Sequence, residues 1–315
     1  MDLFSGIGGS SLGAVNAGVE IVAAFDMWNL AGKTYRLNFP NAKFFRGRLE
    51  KRNLKKLKSE VGRIDLILAS PECTSHSPAK GNKLPCEASK NTAFQVLRFA
   101  RAFRPRWIVI ENVVSMRNWT RYSELKSKLE REGYHVREQV LNASDFGVAQ
   151  SRRRLFLLCD RSRLPKVIPA LAGDRQPAQT CIELVDTYKY APLYKKGRAK
   201  PTLSRARRAL RALGNATPFL LVYYGSDAAG GWQRLDQPLR TITTIDRFAL
   251  VRPQGTRGRG MRMLQVPELQ RAMGMKDLQL SYGSRRERIK MLGNGVCAPV
   301  MEAVIAGLTA ETQDG

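Results

Sequence analysis

Through the first half of the chain, apolar residues come in short unbroken runs bounded by turn formers rather than in strict alternation. Residues 19–25, 64–69 and 107–113 are such runs, the pattern of strands covered on both faces, as in a parallel sheet. Helical spacing fills the intervals. Phe94, Leu97 and Ala100 repeat on adjoining turns of a helix expected over 91–103, and a charged helix is expected over 122–133. A segment opening on glycines runs to Ala17 and is closed by Gly18, a glycine cap. Residues 136–141 read as a further strand, and Leu155 to Leu158 continue another that basic residues enter. Strands alternating with helices predict an α/β fold, a Rossmann-like mixed, mostly parallel sheet with helices on both faces. From about residue 161 the pattern changes to short apolar pieces among many glycines and prolines. Residues 219–225 and 239–244 then predict strands of a small β-rich lobe. The expected division is 1–160, a lobe over 161–260, and helices over 261–315 that return to the first unit.

Charge adds the next constraint. With 53 Lys and Arg against 27 Asp and Glu, the 315-residue chain carries a formal charge of +26, self-repulsion that a polyanionic partner relieves. Between residues 189 and 211 the cations meet no acidic residue. That stretch reads as a solvated arm or as a footprint on phosphates. The sequence shows no apolar run of membrane-spanning length and no leader pattern. Five cysteines without regular spacing fit reduced thiols in a cytosol. Two histidines, His76 and His135, with no Cys-x-x-Cys pair, leave little from which to build a zinc site.

Candidate chemistry gathers at strand ends, where open α/β sheets bind ligands. Pro71 cannot continue a ladder, so the chain leaves the sheet just before Cys73. Cys73 is then a candidate nucleophile, although a free cysteine is commonly a small buried hydrophobe. The run 107–113 ends on Glu111, a carboxylate beside apolar core that needs a partner or a role. Gly6, Gly8 and Gly9 permit close approach of the backbone to a ligand, and Asp26, about 20 positions on, suits a ribose diol. The period of two puts Arg152 and Arg154 on one face of their strand.

Asp2-Leu3-Phe4-Ser5-Gly6-Ile7-Gly8-Gly9, Pro71-Glu72-Cys73, Glu111-Asn112-Val113, Gln150-Ser151-Arg152-Arg153-Arg154 and Gly293-Asn294-Gly295 together resemble the ordered motifs of the cytosine-5 DNA methyltransferases. The resemblance runs from Asp2 to Val300 and leaves only the middle lobe unmatched. It implies S-adenosylmethionine as cofactor, held by Asp2, Phe4, Ser5, Gly6, Gly8, Gly9, Asp26, Met27, Pro71 and Asn294. It implies catalysis by Cys73, Glu111, Arg152 and Arg154 on a cytosine flipped out of the duplex. Double-stranded DNA would contact Ser77, Lys80 and Gln150. In the lobe, the target-recognition domain of the family, it would contact Lys195, Lys196, Arg205, Arg207 and Arg208. The implied setting is a monomer in a prokaryotic or phage-encoded modification system, in the cytoplasm. Three departures stand out. Glu72 and Thr74 flank the thiol where the family usually has proline and glutamine, Arg48 stands where the family has an adenine-binding aspartate, and the first strand is short. Glu72 would disfavour a thiolate, which keeps a catalytically weak DNA-binding paralogue as one alternative. A methyltransferase of RNA is the other.

Overall fold

The computed structural model describes residues 1–71, 91–223, 230–256 and 258–310. A seven-stranded sheet is its frame: β1 (Asp2–Leu3), β2 (Ala23–Asp26), β3 (Lys43–Arg46), β4 (Leu66–Ala69), β5 (Trp107–Asn112), β6 (His135–Asn142) and β7 (Arg153–Asp160), in the order β3-β2-β1-β4-β5-β7-β6. The first five strands are parallel, and β7 runs antiparallel between β5 and β6. The mixed, mostly parallel sheet is therefore present. Because β7 lies inside the sheet, Arg152 to Arg154 do not guard an edge.

Alternation builds the two faces. Ala24, Leu68, Val109 and Phe156 point into one apolar cluster, which includes Ala14 of α1 (Gly9–Asn16), Tyr35 of α2 (Asn29–Asn38) and the buried residues of the C-terminal helices. Their neighbours Phe25, Ile67, Ile108 and Leu157 point the other way, against α3 (Leu54–Val61), α4 (Gln95–Phe103) and α5 (Tyr122–Arg131). A strand covered twice needs apolar residues at every position, which is why these segments read as runs. The run 19–25 joins the sheet only at Ala23, and the helix expected over 91–103 opens as a 3-10 turn before α4.

A second, antiparallel sheet comprises β8 (Ala191–Pro192), β9 (Phe219–Val222), β10 (Trp232–Arg234), β11 (Phe248–Pro253) and β12 (Arg259–Met263), in the order β10-β9-β11-β12-β8. Phe219, Leu221, Ala249 and Val251 meet Ala206 and Ala209 of α6 (Lys200–Leu213), while Leu220, Val222, Phe248 and Leu250 join the first cluster of the large sheet. One face of the lobe is thus continuous with the main core.

Several expectations change here. Residues 239–244 are not a ladder strand. Only Leu239 bridges, to Gln150, while the backbone N–H and carbonyl of Ile242 are taken by the side chains of Gln150 and Arg152 and Arg240 N by that of Gln233. The stretch 189–211 is not a solvated arm throughout, since 200–211 lie in α6, whose Ala206 and Ala209 pack on the sheet while Lys200, Arg207 and Arg211 are exposed. The last lobe strand crosses residue 260 and ends at Met263, whereas the segment after Asp160 stays on the large sheet, with Ile168 bonded to Gln139 and buried against Gly307. Chain return is made by α7 (Val266–Arg271), α8 (Arg285–Asn294) and α9 (Ala298–Thr309). By length and composition Arg285–Thr309 could cross a membrane, contrary to the sequence reading. It is nevertheless two helices, and α9 buries Val300, Met301, Val304, Ile305 and Leu308 in the core.

Candidate active site

The strand order reverses between β1 and β4, the switch point at which open α/β sheets bind ligands beyond the carboxyl ends of their strands. The glycine loop, Asp26, Ser70-Pro71 and Glu111-Asn112 all leave the sheet on this rim. Phe4, Gly6 and Gly8 take left-handed backbone conformations at φ 61, 54 and 96°. For Phe4 this is uncommon and costs strain. A side chain on Gly8 would strike the Phe39 ring, and one on Gly9 the Val296 carbonyl, so these glycines serve close packing. One on Gly6 would meet nothing, so open space lies where a ligand would approach. The Ser5 hydroxyl beside it is buried without a partner.

Asp26 closes this loop. Its Oδ2 accepts from Gly6 N at 2.8 Å and its Oδ1 from Trp28 N at 2.7 Å. Burial raises its carboxyl above the ordinary range, opposed by those two amides. Each oxygen retains a lone pair for a further donor. Exposed Met27 and Asn294 stand at the surface, and Arg48 is exposed at the end of the neighbouring strand connection. Pro71 is buried.

Asp2 lies beneath the loop rather than in it. Its Oδ2 accepts from Ser11 Oγ at 2.6 Å, Ser11 Oγ lies 2.7 Å from Tyr35 Oη, and Oδ1 has no partner. Complete burial raises its carboxyl to about 7, against the Ser11 bond and the nearby Met1 amino group. A carboxyl raised on folding stabilises the fold fully below its unfolded value near 4, and that contribution is lost as pH rises through about 7. Asp2→Asn is therefore expected to gain stability relative to the parent between pH 5 and 8. Paired urea titrations across that range check it, and a constant difference would contradict the assignment.

Across the switch point, Glu111 is 6% exposed at the end of β5, and Arg154 Nε lies 3.1 Å from its Oε1. Burial raises the Glu111 carboxyl, while Arg154, then Arg152, then the Ser70 hydroxyl favour the charged form. Burial wins. The Ser70 hydroxyl makes no hydrogen bond of good geometry. Asn112, to which sequence reasoning gave no role, donates from Nδ2 to the Pro71 carbonyl at 3.2 Å, tying β5 to the start of the cysteine segment. Its place directly after Glu111 was the available signal. Cys297 also reached no sequence list. It is buried close enough to feel Arg152, Arg154 and Glu111, with its thiol pushed up to about 11 by burial.

Arg152 and Arg154 do share this pocket, but they are used differently. Arg152, 3% exposed, donates to the carbonyls of Ile242, Gly293 and Gly295 at 2.8 to 2.9 Å. It thereby locks the return from the lobe to the Gly-Asn-Gly turn. Gln150 is fully buried. Its amide donates to Ala272 O and accepts from Ile242 N, and complete burial turns the side chain inward rather than toward DNA. In the lobe, Lys195, Lys196 and Arg207 are exposed, whereas Arg205 lies over the Tyr223 ring and Arg208 donates to Gly230 O. Cys73, Ser77 and Lys80 lie outside the described residues.

A glycine loop and an acidic strand end lie at the switch point of a Rossmann-like sheet, across from a buried carboxylate–arginine pair. The family model for C-5 cytosine-specific DNA methylase matches residues 1–310, and the chain belongs to that family. Among curated relatives, Type II methyltransferase M.HgiDI of Herpetosiphon aurantiacus is 34% identical over 166 residues, and M.Bsp6I of Bacillus sp. 36% over 162. These matches cover 51% and 50% of this chain, and the chain spans about half the length of each relative, 52% and 50%. Solved structures share the fold at low identity. Spodoptera frugiperda DNMT2 superposes with a TM-score of 0.72 at 19% identity over 98% of both chains. S. pombe Dnmt2 methyltransferase gives 0.69 at 17% over 99% of this chain and 98% of that one.

Proposed function

We propose that the protein is an S-adenosylmethionine-dependent DNA methyltransferase that modifies carbon 5 of a flipped cytosine. The observation that carries this is the joined rim of β4 and β5: Asn112 grips Pro71, two residues before Cys73, while adjacent Glu111 is held buried against Arg154. The cofactor suits the opposite side of the switch point, where Gly6 opens onto free space, Ser5 has an unused hydroxyl and Asp26 retains acceptor capacity. When bound, it supplies an electrophilic methyl group.

The chain's own groups activate the base. The Cys73 thiolate forms a bond to carbon 6, the ring electrons move toward N3, and N3 takes the proton held by Glu111. Carbon 5 thereby becomes nucleophilic. Once carbon 5 carries the methyl group, loss of its proton expels the thiolate, and N3 returns its proton to Glu111, which restores the ring. Arg154 fixes the carboxyl and Arg152 holds the floor beneath it. A nucleic-acid substrate suits +26 on a folded chain whose lobe presents Lys195, Lys196 and Arg207 outward, and the DNA methylase family favours DNA over RNA. A cytoplasmic site of action fits the bacterial relatives.

Transfer of labelled methyl groups to duplex DNA, single-stranded DNA and RNA tests the proposal. Label is expected in 5-methylcytosine of the duplex at more than about ten times the RNA level, within the usual margin between a specific and a non-specific nucleic acid. Label confined to RNA would overturn the DNA reading, and label in neither would favour the weak paralogue that Glu72 suggests.

A further inference from the structure

A second cationic surface lies outside the lobe, at the β3 edge of the large sheet. Between residues 43 and 63 stand nine Lys and Arg against two Glu, a density close to that of the stretch 189–211. The segment comprises edge strand β3, the 3-10 turn Leu49–Lys51 and helix α3. Some of these cations have structural uses. Lys43 reaches Glu60 O, Arg52 reaches Arg46 O, and Lys58 donates to Ala102 O at 3.1 Å.

Lys51, Lys55 and Lys56 do not. All three are exposed, and among the described residues none of their ammonium groups has a partner. Charge on an edge strand blocks unwanted pairing, which accounts for Lys43 and Arg46. It does not account for lysines on the turn and helix, since only Leu57 of α3 is buried and any polar residue would solvate the rest. Lys55 and Lys56 also occupy the first helical turn, with no acidic residue there, where the helix dipole disfavours cations. Like charges gathered against that field make a positive surface that phosphates would relieve.

Position identifies the partner. β3 ends at Arg46 on the same rim as the glycine loop and Glu111, and the turn carries the chain from there directly into α3. The sheet order places β3 three strands from β4, about 14 Å at the usual spacing. Along a duplex that is about four base pairs at ~3.4 Å per nucleotide. Resting on the proposed DNA function, we propose that Lys51, Lys55 and Lys56 bind the phosphates of duplex DNA flanking the target cytosine, on the side away from the lobe.

The test is a salt titration of binding to a long duplex of about 36 base pairs and a short one of about 8, by the parent and by the Lys51→Gln/Lys55→Gln/Lys56→Gln variant. Calorimetric binding of S-adenosylmethionine verifies the variant's fold. On the long duplex the slope of log affinity against log salt should fall by roughly 2 to 3 units. On the short one, built with the target cytosine about two base pairs from its end on the β3 side so that it stops short of the roughly four base pairs to β3, it should fall by less than about 1. A Lys195→Gln/Lys196→Gln/Arg207→Gln variant should lower both. An unchanged slope on the long duplex, or an equal loss on both, would overturn the inference, as would a loss confined to structured RNA. Absence of salt-dependent duplex binding by the parent protein would instead overturn the DNA reading itself, and this inference with it.

Discussion

Replacing Cys73 with alanine is expected to abolish methyl transfer while leaving S-adenosylmethionine binding unchanged, because the thiol contributes to bond formation and not to the glycine loop. The companion Glu111→Gln is expected to lower kcat by roughly 10²- to 10⁴-fold, the range for losing a positioned proton donor. Their signatures differ. With 5-fluorocytosine in the target, carbon 5 carries fluorine in place of the proton that must leave, so the parent protein should remain covalently attached through Cys73. The alanine variant should form no such adduct. The parent's activity should also fall as pH rises through the Glu111 value. That carboxyl is raised by burial against Arg154 and Arg152, so its proton persists above the ordinary carboxylate range and is lost on the alkaline side. The residual activity of Glu111→Gln should lack that limb. Transfer by the Cys73→Ala variant near the parental rate would end the covalent mechanism.

Much of this arrangement was legible because a buried parallel strand must be apolar at every position, and whatever polar residue ends it stands out. Glu111 and Asp26 are such endings, and both reach the rim. The antiparallel placement of β7 inside the sheet was not legible, since Leu155 to Leu158 form the same kind of run in either direction. Residues 239–244 misled for a related reason. Leu239, Thr241 and Thr243 alternate like a strand, but the backbone N–H and carbonyl of Ile242 between them are taken by Gln150 and Arg152, and partners so distant in sequence leave no local periodicity. Of these two side chains, Gln150 was read as contacting DNA and Arg152 as acting on the flipped cytosine. A polar motif beside a candidate site looks functional whether it touches a ligand or locks the walls, and only burial separates the cases. Small residues on α6 were hidden in the same way. Ala206 and Ala209 bury completely, but between arginines they read as a solvated stretch.

Breaking the ion pair between Arg262 and Glu268 is expected to cost more stability than losing an exposed pair. Arg262 on β12 and Glu268 on α7 are 5% and 0% exposed, joined through two bonds of 2.6 and 2.7 Å. Glu268 also accepts from Glu183 N at 2.7 Å and Gln265 N at 2.6 Å, and Arg262 donates to Glu183 O at 2.7 Å. The pair thus pins the last lobe strand, the helix that follows it and the segment leading into the lobe at one point. Glu268→Gln leaves a buried guanidinium short of its counter-charge, which costs about 3 to 5 kcal/mol. Arg262→Met does the same to the carboxylate, although the two amides continue to stabilise it. The double replacement removes both charges and keeps one oxygen at position 268 to accept from an amide, so it should cost clearly less than the sum of the single losses. Urea unfolding of the parent, both single variants and the double variant closes the cycle. Additive losses would show that the two side chains act separately, and that the lobe is held by the apolar cluster it shares with the large sheet.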